Sequence, residues 1–143
     1  MKNIVVVFLG IVLSLSAFSQ TTGDTIISNN ISKLKIKVLY FHITNRCHTC
    51  YSIEENLRKT IFENFKPQLD NGIIDLYIVN CEAPENKELA KKYDAYGATL
   101  AVTLYENGKE IKSEDLSNWA FQKVNKPEIF ISELKDKINE FIK

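Results

Sequence analysis

From Lys35 onward, the hydrophobic pattern changes its period several times, and each change predicts a structural element. Lys35 to Ile43 first alternates between charged and apolar residues and then runs apolar, which is typical of a strand entering the centre of a sheet. Apolar residues then recur at steps of three and four and predict a helix that ends near Pro67, with Ile53, Leu57, Ile61, Phe62 and Phe65 on one face. A β-rich run from Ile73 to Val79 and a short helix from Pro84 to Tyr93 repeat this order.

The second half of the chain predicts a hairpin and a closing helix. A third apolar run, Thr99 to Tyr105, is followed by the turn Asn107-Gly108, a strong hairpin signal, and then by a short strand. Residues 113–124 predict a short helical insertion, and Pro127 opens a helix with one apolar face. The order βαβαββα, with a parallel first half, predicts an α/β fold: a four-stranded mixed sheet covered by helices on both faces.

The first residues have the pattern of a secretory signal peptide. Met1-Lys2-Asn3 gives a short basic start, Ile4 to Leu15 is apolar, and Ala17-Phe18-Ser19 suits signal peptidase. The apolar run is shorter than the roughly 20 residues that span a bilayer, which argues against a membrane anchor. We therefore predict a signal peptide at residues 1–19, a flexible segment at 20–32 and one folded domain at 33–143. The protein is expected to be exported, to the periplasm or outside the cell.

Composition and charge narrow the range of functions. A chain of 143 residues with 45% apolar and 25% charged residues is typical of a single globular domain. The 18 basic residues balance the 18 acidic ones, and no stripe of Lys or Arg stands out. We therefore expect no nucleic-acid partner, and the function must lie in a local site.

A C-x-x-C motif lies between the first strand and the first long helix. Unpaired backbone N–H groups at a helix start stabilise a thiolate, so Cys47 is the predicted nucleophile and Cys50 the resolving cysteine. Arg46 and His48 flank Cys47 and are expected to lower its pKa through their positive charge. A lowered pKa stabilises the reduced form, which favours an oxidant or isomerase over a strong reductant.

The C-x-x-C pair has other possible interpretations. A zinc site lacks a second pair of ligands, and a c-type haem motif would need a histidine where Tyr51 stands. An inert disulfide across so small a loop would remove little entropy from the unfolded chain. We expect no resident metal ion and no cofactor. Two interpretations remain: thiol redox chemistry, and capture of a soft metal or arsenic as a ligand of the two thiols. Cys81 is interpreted as a small buried residue and His42 as a hydrogen-bonded strand residue.

The order of elements from about Lys35 to Lys143 resembles the thioredoxin fold, a three-layer α/β/α sandwich. Glu88 to Asp94 and Leu104 to Lys109 resemble the second half of thioredoxins closely. The resemblance implies a thiol–disulfide oxidoreductase that exchanges electrons with a partner protein or a small thiol or disulfide. It is expected to act as a monomer.

A narrower resemblance rests on the region around the motif. Tyr40-Phe41-His42, then Arg46 to Cys50 and Ile53-Glu54, are similar to the exported nitrophenyl compound nitroreductase subunit (ArsF-like) family, found with arsenical-efflux permeases. This resemblance implies, as the alternative, a dithiol binding module or an accessory subunit for arsenical or nitroaromatic resistance, with a membrane-protein partner.

The sequence also departs from the thioredoxin pattern. The loop that carries a cis-proline in thioredoxins reads Ala98 to Ala101 here, without a proline, so its bonds are expected to be trans. By the resemblance, Thr99 and Leu100 are its substrate-binding residues. The buried aspartate of thioredoxins is replaced by Tyr40 or Phe41, so a water, His42 or His48 would accept the Cys50 proton.

Overall fold

The strands form one mixed sheet. The computed structural model describes residues 25–27 and 33–143, so the predicted signal peptide lies outside the described residues. The sheet order is β1-β3-β2-β4-β5. β2 and β3 are parallel, with Val38 opposite Leu76, and the other neighbouring pairs are antiparallel. The strands are β1 (Thr25–Ile27), β2 (Leu34–His42), β3 (Ile74–Asn80), β4 (Thr99–Glu106) and β5 (Lys109–Asp115).

Helices cover both faces of this sheet. They are α1 (His48–Asn64), α2 (Lys66–Asp70), α3 (Lys87–Lys92), which follows a 3₁₀ turn at Pro84–Asn86, α4 (Ser117–Lys123) and α5 (Pro127–Ile142). Since side chains alternate along a strand, β2 contributes to two cores. Val38 and Tyr40 pack in the larger core with α1, α4 and α5, whereas Leu39 and Phe41 pack on the α3 side. The result is the predicted thioredoxin-like three-layer sandwich.

The predicted count of four strands is one short. Thr25–Ile27, which we assigned to a flexible segment, pairs with β3, and Ile26 lies opposite Tyr77. Three residues are too few to show a period of two in the sequence. The strand forms because β3 would otherwise present an open edge of unpaired backbone groups.

The connections on either side of β5 compare with the sequence prediction as follows: the turn before it is as predicted, and the helix after it starts later. Asn107 and Gly108 have φ angles of 50° and 80°, as expected of the predicted hairpin turn between β4 and β5. The predicted insertion at 113–124 begins later than expected, because Ser113 to Asp115 still pair in β5 and the helix starts at Ser117. In the part of the chain that the structure describes, no helix is long and apolar enough to cross a membrane.

Candidate functional site

The C-x-x-C motif begins α1, just beyond the end of β2. Cys47 is the N-cap residue of α1, and its carbonyl accepts a hydrogen bond from the Tyr51 amide (3.3 Å). Cys47 is exposed, whereas Cys50 lies one turn into the helix and is only 7% exposed. The two Sγ atoms are 2.9 Å apart, and both cysteines are free thiols. One sulfur therefore faces solvent and the other lies directly behind it.

The environments of the two thiols shift their pKa values in opposite directions. The hydrogen bond with the Cys50 thiol, followed by those with the backbone N–H groups of Cys50 and Thr49, lowers the pKa of Cys47. Burial, followed by the hydrogen bond with Cys47, raises the pKa of Cys50. Cys47 is thus the thiol that ionises first.

The structure places Arg46, which was predicted to tune Cys47 together with His48, beside Glu54 and the Cys50 carbonyl. Arg46 Nη2 donates to Glu54 Oε2 (2.5 Å) and to the Cys50 carbonyl (3.4 Å), so its charge lowers the pKa of Cys50 against the effect of burial. His48 is exposed at the first turn of α1. The lowered pKa of Cys47 arises within the motif itself, at the helix start.

Tyr40 fills the position behind Cys50. Its side chain is fully buried, and its hydroxyl donates to the Cys50 carbonyl (2.9 Å). Burial is the main cause of a raised pKa for this phenol, which therefore stays protonated. Phe41 points to the other face of the sheet, where its ring centre lies 5.5 Å from that of Tyr93. Of the two predicted replacements for the thioredoxin aspartate, Tyr40 is the one on the motif side.

A network of two arginines and one glutamate flanks the motif, and sequence reasoning missed it. Glu54 accepts hydrogen bonds from Arg46 and from Arg58 Nε (2.6 Å), and Arg58 Nη2 donates to Thr25 Oγ1 (3.1 Å). Burial opposes the ionisation of Glu54, but the hydrogen bonds from Arg58 and Arg46 outweigh it and lower its pKa. The guanidinium carbon of Arg46 also lies 4.3 Å from the centre of the exposed Tyr51 ring. The available signal was the spacing of Glu54 and Arg58, four residues apart on one helix.

The predicted substrate-binding residues, Thr99 and Leu100, open β4 next to β2. Thr99 pairs with Phe41 and is partly exposed, but the Leu100 side chain is buried in the larger core. The Leu100 amide donates to Ser117 Oγ (3.0 Å). Leu100 therefore has no side-chain surface to offer a substrate. As predicted, the loop is trans: the described residues contain no cis peptide bond.

The third cysteine lies at the end of β3. The Cys81 amide donates to the carbonyl of His42 (2.8 Å), and burial raises the pKa of the half-buried Cys81 thiol. His42 Nδ1 lies 3.0 Å from the Ile43 carbonyl. Within residues 25–27 and 33–143, no three His, Cys, Asp or Glu side chains are grouped so that they could hold a metal ion.

Comparison with known proteins finds likeness in structure alone. No family model and no curated protein matches the chain. Thioredoxin f2 of Chlamydomonas reinhardtii is 21% identical, over 71% of this chain and 86% of its own, with a TM-score of 0.39. Fasciola hepatica thioredoxin is 16% identical, over 64% of this chain and 79% of its own, with a TM-score of 0.38. A malarial protein is 22% identical, over 62% of this chain and 94% of its own, also with a TM-score of 0.38.

The architecture itself identifies the fold. A parallel β2–β3 pair lies at the centre of the sheet, the antiparallel β4–β5 hairpin continues it, and helices cover both faces. The C-x-x-C motif stands where β2 gives way to α1. The chain is a thioredoxin-fold protein.

Proposed function

We propose that the protein is a thiol–disulfide oxidoreductase in which Cys47 is the nucleophile and Cys50 the resolving cysteine. The observation that carries this proposal is the asymmetry of the pair: an exposed Cys47 sulfur at a helix start, 2.9 Å from a shielded Cys50 sulfur. The thiolate is the form that attacks a disulfide, and the lowered pKa of Cys47 increases its population at neutral pH.

The reaction proceeds by two exchanges. The Cys47 thiolate attacks one sulfur of a substrate disulfide, forms a mixed disulfide with that half and releases the other half as a thiolate. Cys50 then loses its proton and attacks the Cys47 sulfur, which forms the Cys47–Cys50 disulfide and releases the second half. The substrate gains two electrons, and the protein loses them. The reverse sequence oxidises a substrate dithiol.

The proton of Cys50 needs an acceptor during the second exchange. Tyr40 does not serve, because its phenol has a raised pKa and donates to the Cys50 carbonyl. Glu54 does not serve either, because two arginines hold it ionised with a lowered pKa. We expect solvent water, His42 or the exposed His48 to accept this proton, and the second exchange to be the slower one.

Trapping of the mixed disulfide tests the assignment of roles. With Cys81→Ser as the background, the Cys50→Ser variant should accumulate a covalent adduct with a substrate disulfide, because nothing resolves it. Mass spectrometry of peptides should locate the adduct on Cys47. The Cys47→Ser variant is the matched control and should form little adduct. Equal trapping by both variants, or no adduct with any disulfide, would refute the proposal.

Capture of a soft ion by the reduced pair is the second candidate function. Two free sulfurs 2.9 Å apart can both bind one thiophilic atom such as trivalent arsenic. Arsenite should then protect Cys47 from alkylation in the Cys81→Ser background, and Cys50→Ser should abolish the protection. Protection without any disulfide exchange would favour this function, and the ArsF-like resemblance, over electron transfer.

We also propose that the protein is exported, on the basis of the signal-peptide pattern at residues 1–19. Cleavage after Ser19 would place the domain in the periplasm or outside the cell, where a partner protein or a small thiol or disulfide would meet Cys47. Fractionation of cells that express the tagged full chain tests this. Mature protein in the periplasm or medium is expected, and uncleaved protein in the cytoplasm would contradict export.

A further inference from the structure

A polar cleft of about 300 Å³ lies beside the cysteine pair, at the carboxyl ends of the parallel strands β2 and β3. In open α/β sheets this edge is where ligands bind. Arg46 and Tyr51, which line the cleft, immediately precede and follow the C-x-x-C motif. The Arg46 guanidinium also lies 3.4 Å from the Cys50 carbonyl oxygen, so a ligand held at Arg46 lies beside the motif.

The charges lining the cleft favour an anion. Arg46 and Arg58 contribute two guanidiniums, and the carboxylate of Glu54, which lies between them, balances only one. The imidazole of His42 also lines the cleft. Asn80 and Thr44 add an amide and a hydroxyl, which are hydrogen-bonded to each other (3.1 Å). Planar guanidiniums match the geometry of a carboxylate better than any other side chain does.

Arg46 also retains an unused donor. Its side chain is only 10% exposed, yet its Nε has no hydrogen-bond partner among the described residues. A buried charged donor without a partner is unfavourable, so the site gains when a ligand supplies an acceptor. The Tyr51 ring, whose centre is 4.3 Å from the Arg46 guanidinium carbon, is 56% exposed. Binding of a ligand at the buried Nε therefore requires this ring to turn towards solvent.

We propose that this cleft binds a carboxylate of a small disulfide substrate and thereby presents the substrate's sulfur to Cys47. The inference rests on the proposed thiol–disulfide exchange and specifies its substrate class. A cleft of this volume accommodates a group of amino-acid size. In the reaction, one carboxylate-bearing disulfide is reduced to two thiols, and the Cys47–Cys50 dithiol is oxidised to a disulfide.

Three disulfides with one skeleton and different charges test the proposal: dianionic 3,3′-dithiodipropionate, neutral 2-hydroxyethyl disulfide and dicationic cystamine. Each is mixed with the reduced Cys81→Ser protein, and the second-order rate of oxidation is measured by acid quenching and mass spectrometry. Without a cation site the Cys47 thiolate repels the dianion, so the dianion should be the slowest. We expect it instead to react about tenfold faster than the neutral compound.

Variants of the arginines show which side chain causes the preference for the dianionic disulfide. Arg58→Gln should bring the ratio of dianion to neutral rates close to one, and Arg58→Lys should restore part of it. Lys59→Gln removes the same charge from the next residue of α1, which does not line the cleft, and should keep the wild-type ratio. Arg46→Gln is the second variant should Arg58→Gln fail to fold.

The outcomes separate the two proposals. If all three disulfides oxidise the protein but the dianion is slowest, or if Lys59→Gln lowers the ratio as much as Arg58→Gln, the cleft proposal is overturned and thiol exchange stands. If none of the three oxidises the protein, and none forms an adduct with Cys47 in the Cys50→Ser variant, the proposed function itself fails.

Discussion

At the scale of single residues, the reactivity of Cys47 depends on Cys50 as a hydrogen-bond partner. Replacing Cys50 with Ala removes the leading cause of the lowered Cys47 pKa, so this pKa should rise towards its ordinary value. Cys50→Ser keeps a hydroxyl donor and should raise it less. The rate of iodoacetamide alkylation as a function of pH, in a Cys81→Ser background, measures both. If neither variant changes the pKa, the backbone N–H groups at the start of α1 are its sole cause.

Glu54 holds the two arginines beside the motif, and its replacement should depend on pH. Glu54→Gln should lower the free energy of unfolding by about 1–3 kcal/mol at pH 7, because it removes the charge that Arg46 and Arg58 share. The folded pKa of Glu54 is lowered, so its stabilising effect is complete above the unfolded value of about 4.3 and is lost as the pH falls through the folded value.

Urea unfolding at pH 7 and pH 3 checks this pH dependence, with Glu55→Gln as the control. Glu55 is the exposed neighbour on the same helix, and its replacement should change the free energy of unfolding by less than about 0.5 kcal/mol. A loss in Glu54→Gln that is equally large at pH 3 would show that the effect is not electrostatic.

The sequence reveals the reactive pair but not its surroundings. The spacing of Cys47 and Cys50 and their place at a helix start follow from local patterns, because both depend on residues close in the chain. The orientation of the Arg46 side chain cannot be predicted from such local patterns. A flexible side chain next to Cys47 in sequence turns towards Glu54, eight residues on, and only the folded helix shows that it neighbours Cys50 instead.

At the scale of elements, the β4–β5 hairpin depends on one glycine. Gly108 has a φ of 80°, in the left-handed region, so Gly108→Ala should lower the free energy of unfolding by about 1–2 kcal/mol. Gly97 has equally open space around it and no positive φ, so Gly97→Ala is the matched control and should not destabilise the protein. Thermal or urea unfolding compares the two. Equal losses would mean that the added methyl group, and not the backbone angle, is responsible.

Elements with a long periodic pattern were predictable, and the shortest one was not. The apolar face of α5, with Phe130, Leu134 and Ile138, and the Asn107-Gly108 turn each carry their signal within a few residues. β1 carries none, because its pairing partner in β3 lies about fifty residues away and sets its conformation. Tertiary pairing of this kind leaves no local trace in the sequence.

At the scale of the whole molecule, folding and the redox state of the pair are linked. The environment that lowers the pKa of Cys47, the start of α1 together with the Cys50 thiol, exists only in the folded chain. Folding therefore stabilises the dithiol more than the disulfide. The disulfide, for its part, closes a loop too short to restrict the unfolded chain strongly. Both effects raise the reduction potential of the Cys47–Cys50 pair, which makes the pair a stronger oxidant.

The reduced protein should consequently be more stable than the oxidised protein, the reverse of what a structural disulfide gives. We expect a higher urea midpoint for the reduced form at pH 8, and a reduction potential above the roughly −270 mV of thioredoxin when the pair is equilibrated with glutathione. The difference between the two forms should be largest near the ordinary cysteine pKa of about 8.5 and disappear as the pH falls through the lowered pKa of Cys47. It should also decrease at higher pH, because the raised pKa of Cys50 keeps that thiol protonated in the folded protein while it ionises in the unfolded chain. The Cys47→Ser/Cys50→Ser variant, which lacks the pair, should show no dependence on reductant. An oxidised form that is more stable at every pH would show that the pair is a reductant and not an oxidant, because an oxidant must gain stability when it accepts electrons.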